Sequence, residues 1–160
     1  MIRCSSKVII VEDGKILLNR CRREDGRVYY DLPGGGQHSY ETMEQAAIRE
    51  VKEETGFHFS HIRLAAIGEE ISTDPVLRER FPDYTHRIFH IFAGELDDKV
   101  RDAPTKTELS MECCEWVALD ALHDLPELYP KGLIDHLPDI LSGKTVVFLD
   151  TFYNDESGNR

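Results

Sequence analysis

The chain has 160 residues, 41% of them hydrophobic, with a formal net charge of −11 and a pI near 5.0. That length fits one globular domain with a buried core and is too short for two ordinary ones. The acidic balance argues against a nucleic-acid polymer or an anionic membrane surface as partner, because both are held chiefly by Lys and Arg neutralising phosphates.

In chain order, residues 8–11 and 15–18 are apolar-rich runs joined by Glu12-Asp13-Gly14, whose Asp-Gly pair predicts the turn of an antiparallel hairpin. Polar residues 20–27 read as a loop. Residues 28–32 read as a short strand stopped by Pro33 and by Gly34, Gly35 and Gly36. The pattern then turns helical over 42–55: Thr42 with Gln45 three residues on forms a capping box, and Gly56 stands where a helix ends. Residues 62–67, 86–96 and 116–119 read as strands, and 72–85, with Pro75 and Pro82, as a polar loop. A late helix is expected over 133–141, interrupted or kinked at Pro138, and a last short strand over 146–149. Residues 1–153 are expected to form one domain and 154–160 a disordered tail.

Cys4, Cys21, Cys113 and Cys114 form no CxxC pair and have no His partners at zinc-finger spacing, so reduced thiols are the expectation. The first residues carry no basic region followed by a long apolar stretch, and no run approaches the length of a membrane span. A cytoplasmic protein is expected.

On a helical wheel, Ala47, Ile48, Val51 and Thr55 share one side of the predicted helix, while Glu50, Glu53 and Glu54 share another arc. Like charges at such spacing destabilise a helix by roughly 0.2–0.5 kcal/mol per pair unless something positive neutralises them. A divalent cation would do so: Mg²⁺ and Mn²⁺ are hard, oxygen-seeking ions that three glutamates on successive turns can reach. Ala46 and Ala47 are small enough to leave room for a ligand against this arc, and Arg49 can pair with Glu53. Taken alone, however, an acidic helix face is usually just solvated, and Pro-Gly-Gly is usually just a turn.

The joint spacing decides more. Gly35, Glu41, Arg49, Glu50, Val51, Glu53, Glu54, Gly56 and Phe57 resemble the Nudix box, G-x5-E-x7-R-E-U-x-E-E-x-G-U, at every specified position. The entry Leu32-Pro33-Gly34-Gly35 is similar as well. This resemblance implies a Nudix α/β/α sandwich with a mixed β-sheet, and a Mg²⁺- or Mn²⁺-dependent hydrolase. It would cut a diphosphate linkage in a nucleoside triphosphate, nucleotide sugar, ADP-ribose or dinucleoside polyphosphate. In one respect the chain departs from many relatives, which carry Gly where Tyr40 precedes Glu41.

The resemblance also implies roles. Glu50, Glu53, Glu54 and Arg49 make up the catalytic set, with Glu50 and Glu54 first among the metal ligands, Glu53 third, and the Gly34 carbonyl a further candidate. Arg49 is expected to orient the carboxylates and Glu41 to hold Arg49 or the helix entrance, while Gly35 and Gly56 shape the loop and the helix end. The general base stays open between Glu53 and Glu54. Glu108 and Glu112 are candidates for an outlying ligand or base, and His38, Tyr40, Tyr84 and His86 for contacts with the substrate. Pro75 lies slightly too far past the box to support an ADP-ribose subtype. Two other classes compete: a Nudix-fold nucleotide-binding or regulatory module without turnover, and an isomerase-like relative. The intact acids and Arg49 favour the hydrolase. The expected partner is a small nucleotide, and a homodimer is compatible with the family.

Overall fold

A computed structural model of the chain describes residues 1–106 and 110–154. Strands β1 (Arg3–Glu12) and β2 (Lys15–Arg22) turn at Asp13 and Gly14, whose φ values of 48° and 73° are those of the primed turn that suits a twisted hairpin. The strands pair only through Val11 with Ile16 and Glu12 with Lys15, and then part. Beyond that point β1 runs parallel to β6 (His86–Arg101), and β6 is antiparallel to β5 (Phe57–Ser72). On the other side, β2 is antiparallel to both β3 (Val28–Asp31) and β7 (Met111–Ala118). The short β4 (Gly34–Gly36) lies antiparallel to β1, pairing Gly34 with Lys7 and Gly36 with Ser5. With β8 (Leu128–Tyr129) parallel to β3 and β9 (Val147–Asn154) parallel to β5, the result is a mixed sheet.

Alternation along β1 explains the layering. Val8 and Ile10 point to the face covered by helix α1 (Met43–Thr55), where they join Leu17, Ala47, Val51, Phe59 and Phe92. Ile9 points to the opposite face, packing with Ile16, Leu18, Leu32, Ile91 and the buried side of helix α3 (Leu133–Ser142), namely Leu133, Leu137 and Ile140. The mixed sheet is therefore buried on both faces between helices, the α/β/α arrangement.

Several boundaries differ from the sequence reading. The segment 72–85 is not simply loop: it holds helix α2 (Pro75–Arg80) and a 3-10 turn at Pro82–Tyr84. Asp74 caps α2 through Oδ1, which accepts from the N–H groups of Val76 and Leu77 at 2.8 and 3.3 Å, and Pro75 sits where a missing N–H costs nothing. Residues 62–67 are only the middle of β5, whose register against β6 shifts at three places and so hides its alternation. Arg20 and Arg22 continue β2 instead of starting a loop. Helix α3 runs through Pro138. The last strand is longer than expected and takes in Asn154, the first residue of the expected tail; residues 155–160 lie outside those described.

Candidate active site

Helix α1 begins as its sequence dictates: Thr42 Oγ1 accepts from the Gln45 N–H at 3.1 Å, and Gln45 Oε1 accepts from the Thr42 N–H at 2.9 Å. It ends at Gly56, with φ 76°, where a Cβ would stand 1.9 Å from the carbonyl oxygen of Asp102. Ala46 and Ala47 are fully buried, and Ser6 Oγ donates to the Met43 carbonyl at 2.8 Å. The small side chains thus bring the helix close to β1 and do not open space for a ligand, as the wheel had suggested. Ile48 is also misplaced by the wheel: it is 43% exposed, and the buried stripe consists of Ala46, Ala47, Glu50, Val51, Glu54 and Thr55.

Two of the three glutamates therefore face inward, toward the glycine strand. Glu54, 2% exposed, accepts at Oε2 from Asn19 Nδ2 (2.8 Å) and from the Gly34 N–H (2.9 Å). Among the described residues its Oε1 accepts no hydrogen bond. Burial pushes its carboxyl up to about 7, against the pull of Lys7 and of the two donors. Glu50, one turn earlier and 1% exposed, receives Arg49 Nη1 at 2.7 Å on Oε1 and Lys106 Nζ at 3.3 and 3.0 Å on Oε1 and Oε2. Glu53 is more open and meets Arg49 Nη1 at 3.3 Å.

Arg49 is the hub. Its Nε and Nη2 clasp the two oxygens of Glu41 at 2.7 and 2.9 Å, and Nη2 also donates to the Gly36 carbonyl at 3.0 Å. This fork holds Glu41 down to about 2 and keeps the guanidinium above its usual range. Under the site, Lys7 Nζ donates to Asp31 Oδ2 (2.7 Å) and to the carbonyls of Leu32 and Gly34 (both 3.2 Å). Burial works against that ammonium, but Asp31 and Glu54 outweigh it and raise its affinity for the proton. The Gly34 carbonyl, a candidate ligand from the sequence, is thus already engaged by Lys7. Gly34 itself has φ 135°, and a Cβ there would lie 2.1 Å from the Ser6 carbonyl oxygen.

Among the described residues, no three His, Cys, Asp or Glu side chains stand grouped at ligating spacing. The glutamates do not converge on one point as the wheel implied, because Arg49 and Lys106 stand among them. The donor chemistry nonetheless fits a hard cation. Glu50 and Glu54 are oxygen donors one helical turn apart on a rigid element, and Glu54 is a buried carboxylate whose hydrogen bonds come only from neutral groups.

The remaining candidates are scattered. His38 offers Glu41 Oε2 its backbone N–H at 3.0 Å, and the Tyr40 ring is fully exposed. His86 pairs with Glu69 through Nε2 at 2.8 Å. Tyr84 lines a cleft of about 500 Å³ together with Glu70, Leu77, Phe81 and Arg87. The Arg3 guanidinium lies 4.6 Å from the Tyr84 ring centroid and borders Gly36, so it links that cleft to the glycine strand. Glu112 is taken by Arg20 and Arg22 and does not reach α1 through any described contact; Glu108 lies outside the described residues. Sequence reasoning missed Lys7, Asn19, Lys106 and Arg3. Lys7, a charge directly ahead of an apolar strand, was the only one to leave a local signal.

The family described as NUDIX domain matches residues 3–138. An RNA pyrophosphohydrolase of Xylella fastidiosa is 38% identical over 80 residues, which is 50% of this chain and 38% of that protein. A putative 8-oxo-dGTP diphosphatase 3 of Mycobacterium tuberculosis is 34% identical over 101 residues, covering 63% of this chain and 42% of that protein. The chain therefore spans less than half the length of either curated relative. A solved NUDIX hydrolase from Nitrosomonas europaea shares the fold at a TM-score of 0.72, with 20% identity over 91% of this chain and 93% of that one. With the box on α1 and β4, and a family match over most of its length, the chain belongs to the Nudix family.

Proposed function

We propose that the chain hydrolyses a diphosphate linkage in a small nucleotide-type substrate and needs Mg²⁺ or Mn²⁺ to do so. The observation that carries this reading is the pair Glu50 and Glu54, buried side by side against Gly34 and Gly35, Glu50 oriented by Arg49 and Glu54 by Asn19 and the Gly34 N–H. Glu50 and Glu54 would hold the ion, with Glu53 as third carboxylate. When bound, the ion neutralises phosphate oxygens and acidifies a coordinated water.

The chain's own residues supply the positioning. Arg49, fixed by Glu41 and by the Gly36 carbonyl, keeps the carboxylates of Glu50 and Glu53 in one orientation. Glu53 is the most open of the three acids, and we assign it the removal of a proton from the attacking water. The cleft beside Tyr84 supports placing the nucleoside there, since Phe81 and Tyr84 are exposed aromatic residues and Arg3 leads from it to the glycine strand. The name of one curated relative, a putative 8-oxo-dGTP diphosphatase, supports a small nucleotide, and that of the other, an RNA pyrophosphohydrolase, supports the pyrophosphate linkage.

A panel of nucleoside triphosphates, nucleotide sugars, ADP-ribose and dinucleoside polyphosphates, assayed with Mg²⁺ or Mn²⁺, tests the reading. We expect metal-dependent release of a nucleotide product from at least one class, and a loss of several orders of magnitude in Glu54→Gln while the fold is kept. No turnover of any class, or full turnover in Glu54→Gln, would sink it.

A further inference from the structure

The segment after β6 returns to the end of α1 and is pinned there by backbone bonds. The Asp102 N–H donates to the Gly56 carbonyl at 2.9 Å, and the N–H groups of Thr105 and Lys106 both donate to the Glu53 carbonyl, at 2.8 and 3.0 Å. Carbonyls at a helix C-terminus lack partners within the helix, so these bonds satisfy groups that would otherwise face water. They also fix where the Lys106 side chain starts. From that point its ammonium reaches both oxygens of Glu50, at 3.3 and 3.0 Å.

The two inward-facing glutamates are thereby unequal. Among the described residues, Glu54 is hydrogen-bonded by neutral donors alone and feels Lys7 without a hydrogen bond, whereas Glu50 carries two cations, Arg49 and Lys106. These cations are held differently: Arg49 is clasped by Glu41 and by the Gly36 carbonyl, while Lys106 reaches Glu50 along a four-carbon stem with its side chain 39% exposed. A carboxylate as buried as Glu50 is costly without a partner charge, and Arg49 and Lys106 together supply it.

We infer that Lys106 is the resident counter-ion of the site: it holds Glu50 in place in the metal-free protein, and a divalent ion must displace it from that carboxylate. Lys106 is thus a positioning residue that lowers the affinity for the ion, and its tethered backbone keeps the ammonium at hand when the ion leaves. The inference rests on the reading of Glu50 as a ligand.

The test is direct Mn²⁺ binding to substrate-free protein, followed by the electron paramagnetic resonance of free Mn²⁺. Lys106→Met and Lys106→Gln should bind Mn²⁺ about fivefold more tightly than wild type, which is ~1 kcal/mol. Lys52→Met removes the same charge from an exposed position on α1 and should change affinity less than twofold, a margin of roughly 0.4 kcal/mol. Glu50→Gln should bind weakly. Unchanged or weaker binding in both Lys106 variants, or equal tightening in Lys52→Met, overturns the inference while a weak Glu50→Gln leaves the metal reading standing. Wild-type affinity in Glu50→Gln removes the metal reading and this inference together. Using two Lys106 variants, one apolar and one polar, and recording thermal melts of each keeps the result independent of a folding defect in either.

Discussion

Gly35 and the carboxylate of Glu50 occupy adjoining space: a Cβ at residue 35 would stand 2.6 Å from the carboxyl carbon and 2.7 Å from each oxygen. The backbone of Gly35 requires no left-handed conformation, so the glycine is there for the glutamate. Gly35→Ala should fold, because the group it meets is the end of a flexible side chain that can turn aside. Turning aside takes Glu50 from Arg49 and Lys106, and a misplacement of about 1 Å at a reacting site costs on the order of 100-fold in rate. We expect kcat to fall by about that factor, and the melting temperature to fall with it while the protein still folds, because a carboxylate as buried as Glu50 is costly away from its partner charges. Gly34→Ala should go further, since its Cβ would meet backbone at 2.1 Å and its φ is 135°; loss of the folded protein, seen by circular dichroism, is the expected outcome. An active Gly34→Ala, or a Gly35→Ala with normal kcat, would contradict this account of the glycine strand.

Tyr40 stands where many relatives have glycine, and its φ of 68° lies in the left-handed region. An L side chain there costs roughly 1–2 kcal/mol, of which glycine's extra chain entropy takes back roughly 0.5–1 kcal/mol. Because the ring is fully exposed, its removal forfeits no packing. Tyr40→Gly should therefore stabilise the protein by about 0.5–1 kcal/mol, a rise in melting temperature of about 2 °C for a chain of this size. If Tyr40 also touches the substrate, KM will rise in the same variant; an unchanged KM removes it from the binding surface.

Arg49 and Glu41 form a two-pronged ion pair with side-chain exposures of 22% and 14%. Glu41→Gln should cost about 1–2 kcal/mol of stability and, by loosening Arg49, lower kcat about tenfold. Arg49→Lys keeps the charge but cannot span Glu41, Glu50 and the Gly36 carbonyl together, so its kcat should fall at least as far. Because Glu41 is held down to about 2, the stability from this pair is present above its unfolded value near 4.5 and fades as pH falls toward 2. Urea denaturation of wild type and Glu41→Gln should converge at the acid end. A gap that persists there would show that the pair stabilises by packing and not by charge.

How legible the site was depended on how local its causes were. The capping box at Thr42 and Gln45, the stop at Gly56 and the spacing from Gly35 to Phe57 all lie within one stretch of chain, and the sequence displays them directly. The inward turn of Glu50 and Glu54 did not show, because a wheel gives only angles and polarity assigns the charged arc to the outside. Here, instead, Asn19 and Gly34 from other strands provide the donors that make burial tolerable for Glu54. Lys106 was invisible for the same reason: its contact with Glu50 spans 56 residues and depends on backbone bonds to the end of α1. Helix α2 could have been read from Asp74 and Pro75, a cap followed by a first-turn proline, had the prolines of that segment not been taken together as loop signals.

Glu54 makes the strongest prediction about pH. Burial raises its folded value to about 7 from an ordinary 4.5, so between these two pH values the folded protein holds a proton that the unfolded chain has released. Stability must then fall as pH rises through that window, by an amount on the order of 3 kcal/mol, and level off above about 7. His90 works the other way: burial lowers its value from 6.5, so it costs stability as pH falls below that point. Comparison with Glu54→Gln isolates the glutamate. In EDTA, wild type should lose stability from pH 5 to 7.5 relative to Glu54→Gln, with the variant the more stable at the alkaline end. A divalent ion competes with that same proton, so Mn²⁺ affinity of wild type should climb through about pH 7 and then flatten. Parallel stability curves for the two proteins across the window would mean that Glu54 is ionised well below 7, and that its burial is compensated by the metal-free protein itself.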